Sequence, residues 1–218
     1  MVNFRWRPDI SHTSEATICH LLELGRFYDS KDARNHALKL LHPRRFSITP
    51  AKLISLTLKY HIKDVFCDAF NRLIPYRVND LKEEDYELIT YPVWMAFIRV
   101  KEQLELHRRI VACEPPKMEH ASGCQDQQRC LDDWRQVWWN GMGRFLLDSR
   151  NPLTFYNAAQ AFESLHTGAI HPDCWKTMLT VVREGKAFDH EHILIQRTAQ
   201  GLAEVFIQEY IVGDIGDE

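Results

Sequence analysis

The chain has 218 residues, a formal net charge of −3 and a pI of about 6.4, with 45% hydrophobic and 26% charged residues. That is ordinary globular composition, which excludes a disordered chain. The acidic balance and the lack of a clustered basic patch beyond Arg44-Arg45 and Arg108-Arg109 argue against nucleic acid as a partner.

No apolar run approaches the roughly 20 residues that cross a bilayer, and the opening "MVNFRWRPDI" lacks the apolar core of a signal peptide. An intracellular location, cytoplasm or nucleus, with no membrane contact is therefore expected. The six cysteines are then expected to be mostly reduced.

Apolar residues recur at helical spacing along nearly the whole chain. In chain order the spacing predicts helices over 14–28, 31–41, 50–60, 63–73, 81–89, 92–112, 126–148, 154–165, 172–186 and 189–209. That makes about nine to ten, depending on whether two of them merge across Pro92. "VFCDAFNRL" places Val65, Phe66, Ala69, Phe70 and Leu73 on one broad stripe, and "DARNHALKLL" does the same with Ala33, Ala37, Leu40 and Leu41. Start signals agree: Thr49 before Pro50, Asp80, Thr154 and Asp189 stand as N-caps. Pro43, Pro75, Pro92, Pro152 and Pro172 punctuate the pattern. No stretch alternates with turn dipeptides as a hairpin requires, so the fold class is all-α.

The first four helices form two short pairs, the unit from which helical arrays are stacked. The long helix after them runs into "CEPPKMEHASGCQDQQ", which is polar and carries Pro, Gly and Ser. This divides the chain into an N-terminal array with its long connecting helix (1–113), a linker (114–125) and a C-terminal bundle (126–218).

"HLLELGRFYDSKDARNHALKLL" followed by "SITPAKLISLTLKYHIKDVFCDAFNRLI" resembles the helical, BACK-like region that follows the BTB/POZ domain in fungal, basidiomycete-type BTB proteins. The likeness continues loosely through "LKEEDYELI", "HRRIVACEPP", the Cys–Cys–Trp–Trp segment and "HPDCW". It implies a non-catalytic adaptor or scaffold that positions a protein partner. The thirteen residues before the first expected helix leave no room for a BTB fold, so its cullin surface is not expected here. Without that dimerising element a monomer or weak dimer is expected.

Chemistry concentrates in "HASGCQDQQRC". His120, Cys124 and Cys130 follow one another as H-x3-C-x5-C, looser than a C-x2-C knuckle, and a fourth ligand has to come from Cys174 or Cys113. We take His120, Cys124, Cys130 and Cys174 as the set for a structural zinc ion. A disulfide, or reduced cysteines with Cys130 packed as a small hydrophobe, are the competing readings. No certain cofactor is indicated.

Catalysis has little to stand on. There is no G-x-S-x-G and no phosphate loop, and His190 and His192 in "HEH" lie about 200° apart around a helix. No catalytic residue is assigned. In "CLDDWRQVWWNGMGRFLL", Leu131, Trp134, Trp138, Met142 and Phe145 form a core stripe, whereas Trp139 lies off it as the candidate partner anchor. Gly141 and Gly143 mark a kink or a close helix crossing. "RVKEQLELHRR", with Glu105 and Arg109 at i, i+4, reads as a solvated face. A second reading, an enzyme or ligand-binding protein with a pocket between the two helical halves, stays open beside the interaction module.

Overall fold

Helices begin where a short polar side chain accepts their first free N–H groups. Ser14 accepts from Thr17 N–H at 3.2 Å, Ser30 from Ala33 at 3.3 Å, and Thr49 from Lys52 at 3.4 Å. Asp126 accepts from Arg129 at 3.1 Å and Thr154 from Asn157 at 3.3 Å. Pro50 and Pro172 occupy first helical positions, where a missing N–H costs nothing.

In the computed structural model, which describes residues 14–148, 153–165 and 167–207, these signals yield a helical chain with no strand among the described residues. The expectation on Pro152 falls outside them. The elements are α1 (Glu15–Phe27), α2 (Lys31–Arg44), α3 (Pro50–Tyr60), α4 (Lys63–Leu73), α5 (Glu83–Leu88) and α6 (Tyr91–Cys113). They continue with α7 (Gln127–Trp138), α8 (Arg144–Leu147), α9 (Phe155–Glu163), α10 (Pro172–Glu184) and α11 (Lys186–Phe206). No helix among the described residues is long and apolar enough to cross a membrane.

Some boundaries differ from the sequence reading. Asp80 does not cap α5: it closes a 3-10 turn (Val78–Asp80), and the N–H of Lys82 donates instead to Asp85 Oδ2 at 3.1 Å. Asp189 lies inside the first turn of α11, whose helix starts at Lys186. Pro43 is held within the last turn of α2. Pro92 sits in the first turn of α6 and separates it from α5 without merging them.

The chain forms two compact units, divided differently from the expected halves. Among the described residues, one contains 14–97 together with 198–207, and the other runs from Ile98 to Arg197. The reason lies in the supposed linker. Met118 is 6% exposed, and Ala121 and Cys124 pack against the second unit's core. Trp134 Nε1–H donates to Pro116 O at 3.0 Å. Segment 114–125 thus belongs to the second unit, as does the end of α6 that precedes it.

In the first unit α1 packs on α2, and α3 on α4 and α5. The α4 stripe is buried throughout: Val65, Phe66, Ala69, Phe70 and Leu73 are each at most 1% exposed. Burial of each large side chain contributes roughly 1.5–3 kcal/mol. Arg72 donates to Arg45 O at 2.6 Å and Ile48 O at 3.1 Å, fixing the turn between α2 and α3.

The second unit is built on an aromatic cluster. Trp134 lies 5.4 Å from Trp138 and Phe162 lies 5.3 Å from Trp175, measured between ring centroids. Cys130, Trp134, Trp138, Met142 and Leu146, all four residues apart, are all buried. In an unbroken α-helix a four-residue step drifts by about 40° around the axis, so five such positions could not share one face. A π-helical turn, Trp139–Gly143, underwinds the helix and brings them back into line. It also explains why Leu146 is buried while Phe145 only flanks the core. Gly141 is where the segment meets α9: a Cβ there would lie 2.8 Å from Phe162 Cδ2 and overlap Leu165.

Candidate metal centre

His120 and Cys124 sit at the two ends of a tight turn closed by the Cys124 N–H donating to Ala121 O at 3.0 Å. Cys130 follows in the first turn of α7, placed by the Asp126 cap and by its own N–H donating to Asp126 O at 3.1 Å. Cys174 is the third residue of α10, behind His171 and Pro172. The Nδ1 of His171 accepts from Asp173 N–H at 3.3 Å and holds the α10 start in place. Trp138 Nε1–H donates to Val111 O at 3.0 Å, so α7 also grips the end of α6, from which this loop departs.

The structure brings one ligand atom from each of His120, Cys124, Cys130 and Cys174 within 4.8 Å of one another. Cys124 Sγ lies 3.7 Å from His120 Nδ1. A tetrahedron with Zn–S bonds of about 2.3 Å and Zn–N bonds of about 2.0–2.1 Å has edges of roughly 3.6–3.8 Å. One edge therefore already has ligand spacing, and every other edge is within 4.8 Å. All four thiols nearby, Cys113 included, are free rather than disulfide-bonded. Cys113 is exposed at the end of α6 and is not a member of the group. This is a His/Cys3 group close enough to hold a metal ion.

Backbone hydrogen bonds at the sulfurs favour negative charge on them. Ala121 N–H donates to Cys174 Sγ at 3.2 Å, and the backbone at Asp126 and at His171 bonds to Cys124 and Cys130 in the sense that lowers their proton affinity. Cys130 and Cys174 both lie in first turns of helices, at the positive ends of their dipoles. Against this, burial pushes the Cys130 thiol up to about 11, and Cys124 is raised by burial and by the neighbouring Cys174 thiol. A divalent cation held by these residues would reverse that balance, since a coordinating thiol is deprotonated outright.

Trp139 stands at the surface, 54% exposed, while its neighbours Trp134 and Trp138 are buried. The residue that the sequence reading missed is Arg108. It faces inward from α6, its Nε–H donating to Glu191 Oε1 at 2.8 Å, and Glu191 itself is only 8% exposed. Its neighbour Arg109 does lie on the expected solvated face, paired with Glu105. A periodicity count at one helix cannot separate Arg108 from Arg109, because the partner lies 83 positions further along.

Comparison with known protein families, with characterised proteins and with solved structures finds no match to this chain.

Proposed function

We propose that this protein is a non-catalytic helical interaction module whose second unit is stapled by one structural zinc ion held by His120, Cys124, Cys130 and Cys174. The observation that carries this reading is the convergence of four protein donors, from a loop and two helix starts, within 4.8 Å. Thiolate and imidazole donors select zinc over magnesium or calcium, which take oxygen ligands. Four protein ligands complete the tetrahedron and leave no position for water or substrate, which is the structural rather than the catalytic arrangement. Three thiolates and one imidazole around Zn²⁺ carry one net negative charge, and the N–H groups around sulfur are the donors that such a complex needs.

The staple joins the loop before α7 to the start of α10, elements that lie far apart in sequence. It presents a rigid unit with Trp139 outward, and a large exposed aromatic on a rigid helix is the residue type that anchors partner contacts. The likeness to the post-BTB helical region of fungal BTB proteins supports the same adaptor reading.

Metal analysis of the purified chain is expected to find one zinc, and Cys124→Ser with Cys130→Ser is expected to lose it and melt at a lower temperature. Metal-free protein whose melting temperature is unchanged in that double variant would remove the zinc. The interaction arm is tested separately: Trp139→Ala should keep both metal and melting temperature while losing a partner crosslinked to the wild-type chain. An identical crosslinked partner set in wild type and variant would overturn the adaptor reading.

A further inference from the structure

The first unit contains a cavity of about 440 Å³, which lies within the range of roughly 300–1,000 Å³ typical of small-molecule sites. It is bounded by the end of α1, the start of α2, and the junction between α3 and α4. Its charge is opposite to that of the chain. Arg26, Lys31, Arg34 and Lys63 line it with two carboxylates, Asp29 and Asp64, in a protein whose net charge is −3, and Arg26 is also paired with Glu23 at 3.5 Å. Lys31 and Lys63 form no ion pair among the described residues. Arg34 is held in place, its guanidinium donating to His61 O at 2.9 Å.

Two carbonyls near the ends of α1 and α3 are already engaged, Gly25 O by Ser30 N–H and Thr57 O by Ile62 N–H, both at 2.9 Å. Three choices of residue around this cavity also run against local preference. Asp29 (φ 49°) and His61 (φ 54°) are the only non-glycine residues with positive φ among those described, and both close helices at positions where glycine is favoured. Ile62 stands at the start of α4, where a polar cap is usual, and its side chain caps nothing. Breaches of local rules gather where function requires particular side chains.

We propose that this cavity binds a phosphorylated polyol of the sugar-phosphate class. The phosphate sits between Lys31, Arg34 and Lys63, while Asp29, Asp64 and Asn35 accept from hydroxyl groups of the sugar. The carbon skeleton rests on Leu38, whose side chain is only half-buried. No Phe, Tyr or Trp lines the cavity, and the rings that do are the imidazoles of His42 and His61.

Calorimetric titration of the full chain with glucose-6-phosphate, inorganic phosphate and glucose tests this. Glucose-6-phosphate should bind with a Kd of about 1 mM or tighter, inorganic phosphate more weakly, and glucose not measurably. Lys31→Gln with Lys63→Gln, two surface changes whose folding is checked by circular dichroism, should weaken glucose-6-phosphate at least tenfold. Asp29→Asn with Asp64→Asn should bring it toward the affinity of inorganic phosphate. Should the lysine pair fail to fold, added salt applied to the wild-type chain must weaken binding in the same direction. The proposal is overturned by absence of saturable glucose-6-phosphate binding, by unchanged affinity in the lysine variant, or by inorganic phosphate or glucose binding equally well.

Discussion

Removing Arg108 should cost the second unit far more than removing any other arginine of α6. Glu191 Oε1 receives Arg108 Nε–H at 2.8 Å and lies 2.7 Å from Arg108 Nη2, and Oε2 accepts the backbone N–H of Phe155 at 3.2 Å. The two side chains are only 18% and 10% exposed, so water screens them incompletely. Opposite charges about 4 Å apart attract by about 4 kcal/mol at an effective dielectric constant near 20. Arg108→Leu leaves a buried carboxylate with one backbone donor, and the expected loss is about 3–5 kcal/mol. Glu191→Leu strands the guanidinium and the Phe155 N–H, with a similar loss. Changing both removes the two charges together and leaves only that N–H without its acceptor, for which about 1–3 kcal/mol is expected. The sum of the single losses should therefore exceed the double by at least about 3 kcal/mol. Urea unfolding followed by circular dichroism gives all four corners of the cycle from midpoints at unchanged slope. If Arg108→Leu costs under about 1 kcal/mol, as an exposed pair would, the pair is not the buried tie described here.

Two further outcomes follow from other contacts. Gly141→Ala should destabilise by about 1–3 kcal/mol through the clash with Phe162 and Leu165, although the same change in an open helix would stabilise by up to about 1 kcal/mol; a thermal melt that shifts upward would contradict the close crossing. Tyr60 donates its hydroxyl to Glu23 at 2.8 Å, and burial together with that carboxylate raises the phenol above the ordinary tyrosine value. Because the folded value lies above the unfolded one of about 10, the contribution is complete below that pH and is lost as pH rises through the folded value. Alkaline melts of wild type should therefore fall away more steeply than those of Tyr60→Phe, and parallel curves would show that the contact carries no such linkage.

The spacing of apolar residues and the polar residues at helix starts made nearly every helix legible, since both are local properties. A stripe such as Val65 to Leu73 has one solution, and Thr49 and Thr154 cap whatever follows them. His120, Cys124 and Cys130 were legible as neighbours for the same reason, lying within eleven consecutive positions. The choice of Cys174 over Cys113 as fourth donor is of another kind. Cys113 is nearer in sequence, and only the docking of α10 against α7 brings Cys174 Sγ to within hydrogen-bonding distance of the Ala121 N–H.

What the sequence determined by itself, then, is the helical class, the order of the helices and the identity of the donors that chemistry makes suitable. The tertiary structure decided which faces meet. It turned Arg108 inward and Arg109 outward, set a π-turn so that five residues four apart share one face, and drew the segment 114–125 into the second unit. Periodicity is written within a few turns of one helix and can be read there. The partner of a buried charge is chosen by packing between segments tens of residues apart, and no local pattern carries that information.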